Sequence, residues 1–336
     1  MTGIPEGMEA VPAQTDPEFY KKFNTSELLQ YSLLSPITKN NARRTWQVCP
    51  SLNFFIGQDS LTLRTIRDDM APIKFFWSSP NPENLLSEPP IVETAINENP
   101  RVAFVKPEYR NMLNWVDHFS EVLHSKEIRL SLTSAESIFG IDEIKMLFVN
   151  YKIVGFIGTS FDLLEQLLTQ FLPLQTIKLD MTPDADLTAD FQPLANAIRG
   201  IDEIMFGKEF PMTLENLKEV RNETITILCP SMGLRELNAW LRSWSSSESN
   251  RNLVDLQIRF PAETFARDYR RFVFHRIQFL VGQNFICNYP YSSKAWDYEP
   301  MKSLDGPFIV RRGFQDALMD FFPERLYMTV KFTVQF

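Results

Sequence analysis

The sequence predicts an α/β protein: a degenerate leucine-rich-repeat-like strand–helix solenoid, preceded by a small helical unit and closed by a C-terminal β-hairpin. Three observations predict it. β-branched, alternating segments begin near Ile128, Ile153, Ile177, Ile204, Ile225 and Leu256, at intervals of 21 to 31 residues. Leucine stripes at helical spacing lie between them, as in Leu163, Leu164, Leu167, Leu168, Phe171 and Leu172. The last nine residues alternate, with Met328, Val330, Phe332, Val334 and Phe336 apolar and Thr329, Lys331, Thr333 and Gln335 polar. A strand and a helix recurring at this period cannot bury their apolar sides alone, but stacked neighbours can. An open doubly wound sheet would also alternate. Its phosphate-binding signatures, GxGxxG and GxxxxGK[ST], do not occur.

In chain order, residues 1–16 read as a flexible tail, rich in Pro, Gly, Glu and Gln. Residues 17–48 form the small helical unit. Phe19, Tyr20 and Phe23 make one short apolar face, and Thr25 or Ser26 caps a helix bearing Leu28, Leu29, Leu33 and Leu34. Pro36 stops that helix or begins another. Residues 49–105 form a connecting β/loop region, with strands at 52–57, 60–66, 73–77 and 101–105 and a proline-rich loop at 78–90.

Residues 106–336 form the repeat-like domain. Pro107 opens a helix carrying Tyr109, Met112, Leu113, Val116, Phe119 and Leu123 on one face. Leu187, Phe191, Leu194 and Ile198 mark another helix, which Pro193 kinks or shortens, and Leu214, Leu217 and Val220 a short one. The segment 222–260 reads as strand, helix and strand, with Leu234, Leu237, Leu241 and Trp244 at helical spacing. Beyond it, Arg267, Arg270, Arg271 and Arg276 interleave with Phe272, Phe274, Ile277 and Phe279 as an amphipathic element with solvated arginines. Asp305-Gly306 offers a turn before a strand at Phe308, Ile309 and Val310.

The 336 residues carry a net charge of −8, which argues against a binder held by nucleic-acid phosphates. The three cysteines, Cys49, Cys229 and Cys287, have no pairing pattern and read as reduced thiols. No signal peptide and no apolar run of about 20 residues is present, so the expectation is an intracellular protein, cytoplasmic or nuclear, with no membrane contact.

The residues that could carry chemistry do not converge. His118 and His124 lie six positions apart on one helix, about 240° around it, and His275 stands among arginines. Cys229 sits at a strand-to-helix turn, CPSMG, but no base is indicated, and Ser231 reads as a helix cap. Asp180, Asp184, Asp186 and Asp190 cluster as if in one turn, but lack the glycine and terminal glutamate of a calcium loop. We expect no enzyme, no cofactor and no metal.

Several motifs carry a resemblance. Leu237, Asn238, Leu241 and Trp244, followed by Asn252, Leu253, Leu256 and Ile258, resemble the type 2 F-box-associated region of the nematode F-box protein family. Trp115 and His118 look like the same family's Trp-x-x-His helix, and Asp305 and Gly306 like its C-terminal hairpin. At the other end, Leu28, Leu29, Leu33, Leu34, Ser35 and Lys39 resemble the second half of an F-box. The usual entry strand is reduced to Val11-Pro12, so the helical unit at 17–48 looks like a truncated F-box. The resemblance implies a substrate-recognition adaptor for a cullin-RING (SCF-type) ubiquitin ligase. Phe19, Phe23, Leu28, Leu29, Leu33 and Leu34 would then contact the Skp-type linker subunit, and the repeats would hold a target protein. The alternative is a non-catalytic interaction module of the same fold without ligase docking. Leu237, Leu241 and Trp244 are expected in the core rather than at a contact.

Overall fold

The computed structural model describes residues 25–45, 52–65, 72–77, 90–96, 99–104, 111–132, 138–228, 230–264, 269–281, 308–312, 315–323 and 326–335. The 1–16 tail, Phe19, Tyr20, Phe23, all three cysteines, Pro107, Tyr109 and the Asp305-Gly306 turn lie outside these residues. The chain divides into two compact units, Met1–Thr159 and Ser160–Phe336. Its fold is mixed α/β.

The first unit opens with helices α1 (Thr25–Ser32) and α2 (Pro36–Thr45). Pro36 begins the second helix, and Leu33 and Leu34 fall in the turn rather than on the first. Ser35 and Thr38 lock that turn: the Ser35 N–H donates to Thr38 Oγ1 at 2.8 Å and the Thr38 N–H to Ser35 Oγ at 3.1 Å. The pair docks on α3 (Met112–Val122) through Lys39, whose Nζ lies 2.6 Å from Glu121. A buried contact between Ser32 Oγ and His118 Nε2 at 2.8 Å adds to it. The Ser32 hydroxyl also reaches the Leu29 carbonyl. Ser32→Ala would remove both buried contacts. It is expected to cost about 1–3 kcal/mol in urea unfolding.

The sheet of this unit places β1 (Leu52–Ile56) parallel to β6 (Glu127–Leu132), and β6 parallel to β7 (Lys152–Ser160). On its other side β1 leads an antiparallel meander of β2 (Ser60–Thr65), β3 (Ile73–Phe76), β4 (Ile91–Ile96) and β5 (Asn99–Phe104). Alternation in β1 buries Leu52, Phe54 and Ile56 completely. Phe75 meets Trp115 and Phe119 of α3, and Phe54 meets Phe148 of α4 (Ile141–Phe148). Two elements here escaped the sequence reading. β4 follows the proline-rich stretch, and α4 has only Ile144, Leu147 and Phe148 as buried anchors, too few to define a period.

In the second unit, α5 (Phe161–Phe171) is capped by Ser160 and buries Leu163, Leu164, Leu167 and Leu168 of the expected stripe, while Leu172 lies past the helix end and is 40% exposed. β8 (Thr176–Asp186), β9 (Glu203–Phe206), β10 (Thr224–Leu228) and β11 (Asp255–Pro261) pair in order, all parallel. Between them lie α6 (Gln192–Ala197), α7 (Leu214–Glu219) and α8 (Leu234–Ser245). β8 runs on through Asp186, so the helix expected from Leu187 is shortened and begins only at Gln192, and Leu187 is 48% exposed. Pro193 starts α6 rather than kinking it, because a proline at a first turn loses no helical hydrogen bond. Ser231 does not cap α8. Gly233 does, its N–H donating to Glu236 Oε2 at 3.1 Å.

The C-terminal strands exceed a hairpin. β15 (Tyr327–Gln335) pairs antiparallel with β11 and with β14 (Gln315–Pro323). β14 pairs with β13 (Phe308–Arg312), and β13 with the short β12 (Phe279–Val281). β14 was not foreseen: it buries five residues in a row, Ala317 to Phe321, and so lacks the period of two. The buried row of β15 meets α8, with Phe332 packed edge-on to Trp240 and Trp244 at 5.1 and 4.8 Å.

Two buried asparagines clamp successive strand–helix units. Asn222 donates to the carbonyls of Ile198 and Ile201, at 2.7 and 2.6 Å. Asn250 donates to those of Leu217 and Val220, at 2.9 and 2.6 Å. In each case the side chain ties up two carbonyls at a helix end, a place where the last turn leaves acceptor capacity unused.

Candidate functional site

Helices pack on one face of the second unit's sheet, where the alternating residues Ile177, Leu179, Ile204, Phe206, Ile225, Ile227, Leu256 and Ile258 are buried. The opposite alternates of β8 to β11, with Lys331 and Thr333 of β15, remain accessible to solvent. Strand register arranges them in rows, with neighbours about 4.8 Å apart. One row runs Thr176, Glu203, Thr224, Asp255, Thr333; the next runs Lys178, Met205, Thr226, Gln257, Lys331. This polar surface with a central methionine is the candidate site.

Its charges hold one another. Thr333 Oγ1 donates to Asp255 Oδ1 at 2.8 Å, and Lys331 Nζ lies 3.6 Å from Asp255 Oδ2. Lys178 lies 3.6 Å from Asp180, and the Arg259 guanidinium sits over the Tyr327 ring at 5.7 Å. Burial pushes the Asp255 carboxyl above its ordinary range, a shift that Lys331 and Thr333 only partly reverse. Burial also lifts Glu203; a hydrogen bond with Thr176 opposes the shift and the Asp255 charge adds to it. A carboxyl with a raised folded pKa contributes stability below its unfolded value, 3.8 for Asp255, and loses it as pH rises through the folded value. Asp255→Asn keeps an acceptor for Thr333 and removes the buried charge. The variant is expected to melt higher than the wild type at pH 7, with the gap closing by about pH 3.5.

Chemically, this arrangement can hold a partner by hydrogen bonds, ion pairs and apolar contact. Among the described residues no group of three or more His, Cys, Asp or Glu is placed to hold a metal. The acidic residues around 180–190 have structural work instead. Asp180 accepts from the Glu209 N–H at 3.0 Å, Asp186 from the N–H and hydroxyl of Thr188, and Asp190 from the Gln192 N–H. They do not share one turn, since Asp180 to Asp186 belong to β8. The histidines are engaged separately: His118 with Ser32, and His124 through Nε2 with the Arg43 carbonyl at 2.6 Å. His275 is exposed.

The residues expected to meet a linker subunit have different fates. Phe19 and Phe23 lie outside the described residues. Leu28, Leu29 and Leu33 are buried within the chain's own core. Leu34, in the turn between α1 and α2, is 37% exposed, and Ile37, in the first turn of α2, is 53% exposed.

Leu237, Leu241 and Trp244 are core residues, as expected. Asn238 has a role that its place on the helix did not reveal: its Nδ2 donates to the carbonyls of Val273 and His275, at 2.8 and 2.9 Å. It thereby anchors α9 (Tyr269–Val273) and the turn beyond it. The sheet-face residues were missed as a site, although their signal was present in the polar alternates of each strand. No helix among the described residues is long and apolar enough to cross a membrane.

In a comparison with known families, a family model described as F-box associated matches residues 195–258. Comparisons with curated proteins and with solved structures give no match. The matched segment runs from α6 into β11 and supplies β9, β10 and most of β11, so the part of the chain similar to that family lies in the middle of the candidate face.

Proposed function

We propose that the protein is a non-catalytic substrate-recognition adaptor of an SCF-type ubiquitin ligase, similar to the nematode F-box proteins. Its α1–α2 pair docks to the Skp-type linker, and the open face of β8 to β11 holds the target. The observation that carries this reading is the coincidence of the F-box-associated match with the strands that build the face. The strand–helix units are read as degenerate leucine-rich-type repeats, a reading supported by the equivalent clamps of Asn222 and Asn250. A second reading, an interaction module without ligase docking, is favoured by one observation: burial of Leu28, Leu29 and Leu33 leaves only Leu34 and Ile37 as apolar contacts on the described part of the helical pair.

Co-elution of the purified chain with a Skp-type linker separates the two. The informative variant is Leu34→Asp with Ile37→Asp, because exposed positions tolerate charge, whereas Leu29→Asp would bury one. Adaptor function predicts a complex with the wild type and its loss in the double variant at an unchanged melting temperature. Failure of the wild-type chain to co-elute would leave the second reading.

A further inference from the structure

The stretch Tyr269–Val281, YRRFVFHRIQFLV, contains three arginines, one histidine and no acidic residue, in a chain of net charge −8. Its core anchors are Tyr269, Val273 and Phe274; Phe274 packs on Phe279, Phe308 and Phe321. Around these anchors Arg270, Arg271, His275 and Arg276 all reach the surface. So do three large apolar side chains: Phe272 at 43% exposure, Phe279 at 37% and Leu280 at 60%. Single exposed apolar residues are ordinary, but three within nine positions, flanked by cations, form a patch suited to a partner. β12 is also the terminal strand of the sheet order among the described residues, beside β13. Such an edge offers backbone donors and acceptors to an added strand.

We propose that α9 and β12 form a second docking surface, which takes an extended acidic polypeptide segment with apolar anchors, laid along the edge of β12. Carboxylates of the segment meet Arg270, Arg271 and Arg276, and its apolar residues cover Leu280 and Phe272. A protein segment fits better than the other polyanions. A nucleic acid brings a charge at every phosphate and is repelled by the acidic remainder of the chain. A lipid surface needs a longer amphipathic helix than the five residues of α9. The surface stands apart from the open face of β8 to β11 and does not depend on ligase docking.

The test uses the full chain and fluorescence anisotropy. The probe is a labelled octapeptide alternating Glu with Leu and Phe, and its counterpart carries Lys in place of Glu. The acidic probe is expected to bind at least about tenfold more tightly than the lysine probe, with affinity falling as salt rises. Arg271→Glu with Arg276→Glu should weaken binding about tenfold or more at an unchanged melting temperature. Leu280→Ser, at an exposed position, tests the apolar half without altering charge and should also weaken it. The proposal is overturned by equal affinity for both probes, by absence of binding, or by indifference to Leu280→Ser. It is equally overturned if oligo(dT) or phosphatidylserine vesicles bind the same patch more tightly than the acidic probe.

Discussion

Replacing Asn250 with alanine is expected to destabilise the chain by about 3–5 kcal/mol, read as a lowered midpoint in urea unfolding. The side chain is buried and makes three hydrogen bonds at once. Its Nδ2 donates to the carbonyls of Leu217 and Val220, and its Oδ1 accepts from Trp240 Nε1 at 2.8 Å. Alanine leaves two carbonyls and an indole N–H without partners in the interior, each costing about 1–3 kcal/mol less what relaxation recovers. The backbone adds a second term. Asn250 has φ of 46°, in the left-handed region that asparagine tolerates and alanine does not. Asn250→Gly therefore separates the two: it loses the same hydrogen bonds but should be about 1 kcal/mol milder than alanine. Asn250→Asp keeps the acceptor for Trp240 and sets carboxylate oxygen against two carbonyls. A conservative-looking change is thus expected to be as damaging as alanine. Equal stability of the asparagine and alanine forms would show that the clamp contributes nothing.

Trp244→Ala is the second large effect, expected at about 3–5 kcal/mol from lost transfer energy and the cavity left behind. The ring is fully buried. It packs against Phe332 and carries the Arg312 guanidinium over its face, 4.5 Å from the ring centre. It thereby joins α8 to two C-terminal strands. Trp244 Nε1 has no hydrogen-bond partner among the described residues, so Trp244→Phe loses volume but no polar contact. That variant should cost less than half as much as alanine. If phenylalanine and alanine prove equally damaging, packing is not the main contribution of the tryptophan. Because Trp244 belongs to the motif that carries the family resemblance, either result also tests whether the motif marks scaffold rather than binding surface.

The motifs were legible to different depths, for physical reasons. Leu237, Leu241 and Trp244 could be placed in the core from spacing alone, since residues three and four apart share a helix face. Asn238, on the same helix, could not be explained that way. Its partners, the carbonyls of Val273 and His275, lie more than 30 residues downstream, and no local pattern encodes them. The same holds for His118, whose partner Ser32 is 86 residues away. Leu28, Leu29 and Leu33 mark a limit of another kind. A stripe of leucines on a short helix looks alike whether it faces its own core or another protein. Which it faces depends on what packs beside it.

The sequence alone determined the local order of the strongly periodic segments: that β8 to β11 are strands, that α5 and α8 are helices, and that Leu237, Leu241 and Trp244 share a buried face; β4, α4 and β14 escaped it. Periodicity, proline placement and capping act within a few residues, so they can be read in one dimension. Tertiary structure decided the rest. Pairing in order made β8 to β11 parallel and aligned their polar alternates into rows across the strands. Helices covering one side left those rows open as a face. Register and coverage arise from contacts between residues far apart in sequence, and the candidate face exists only once those contacts are made.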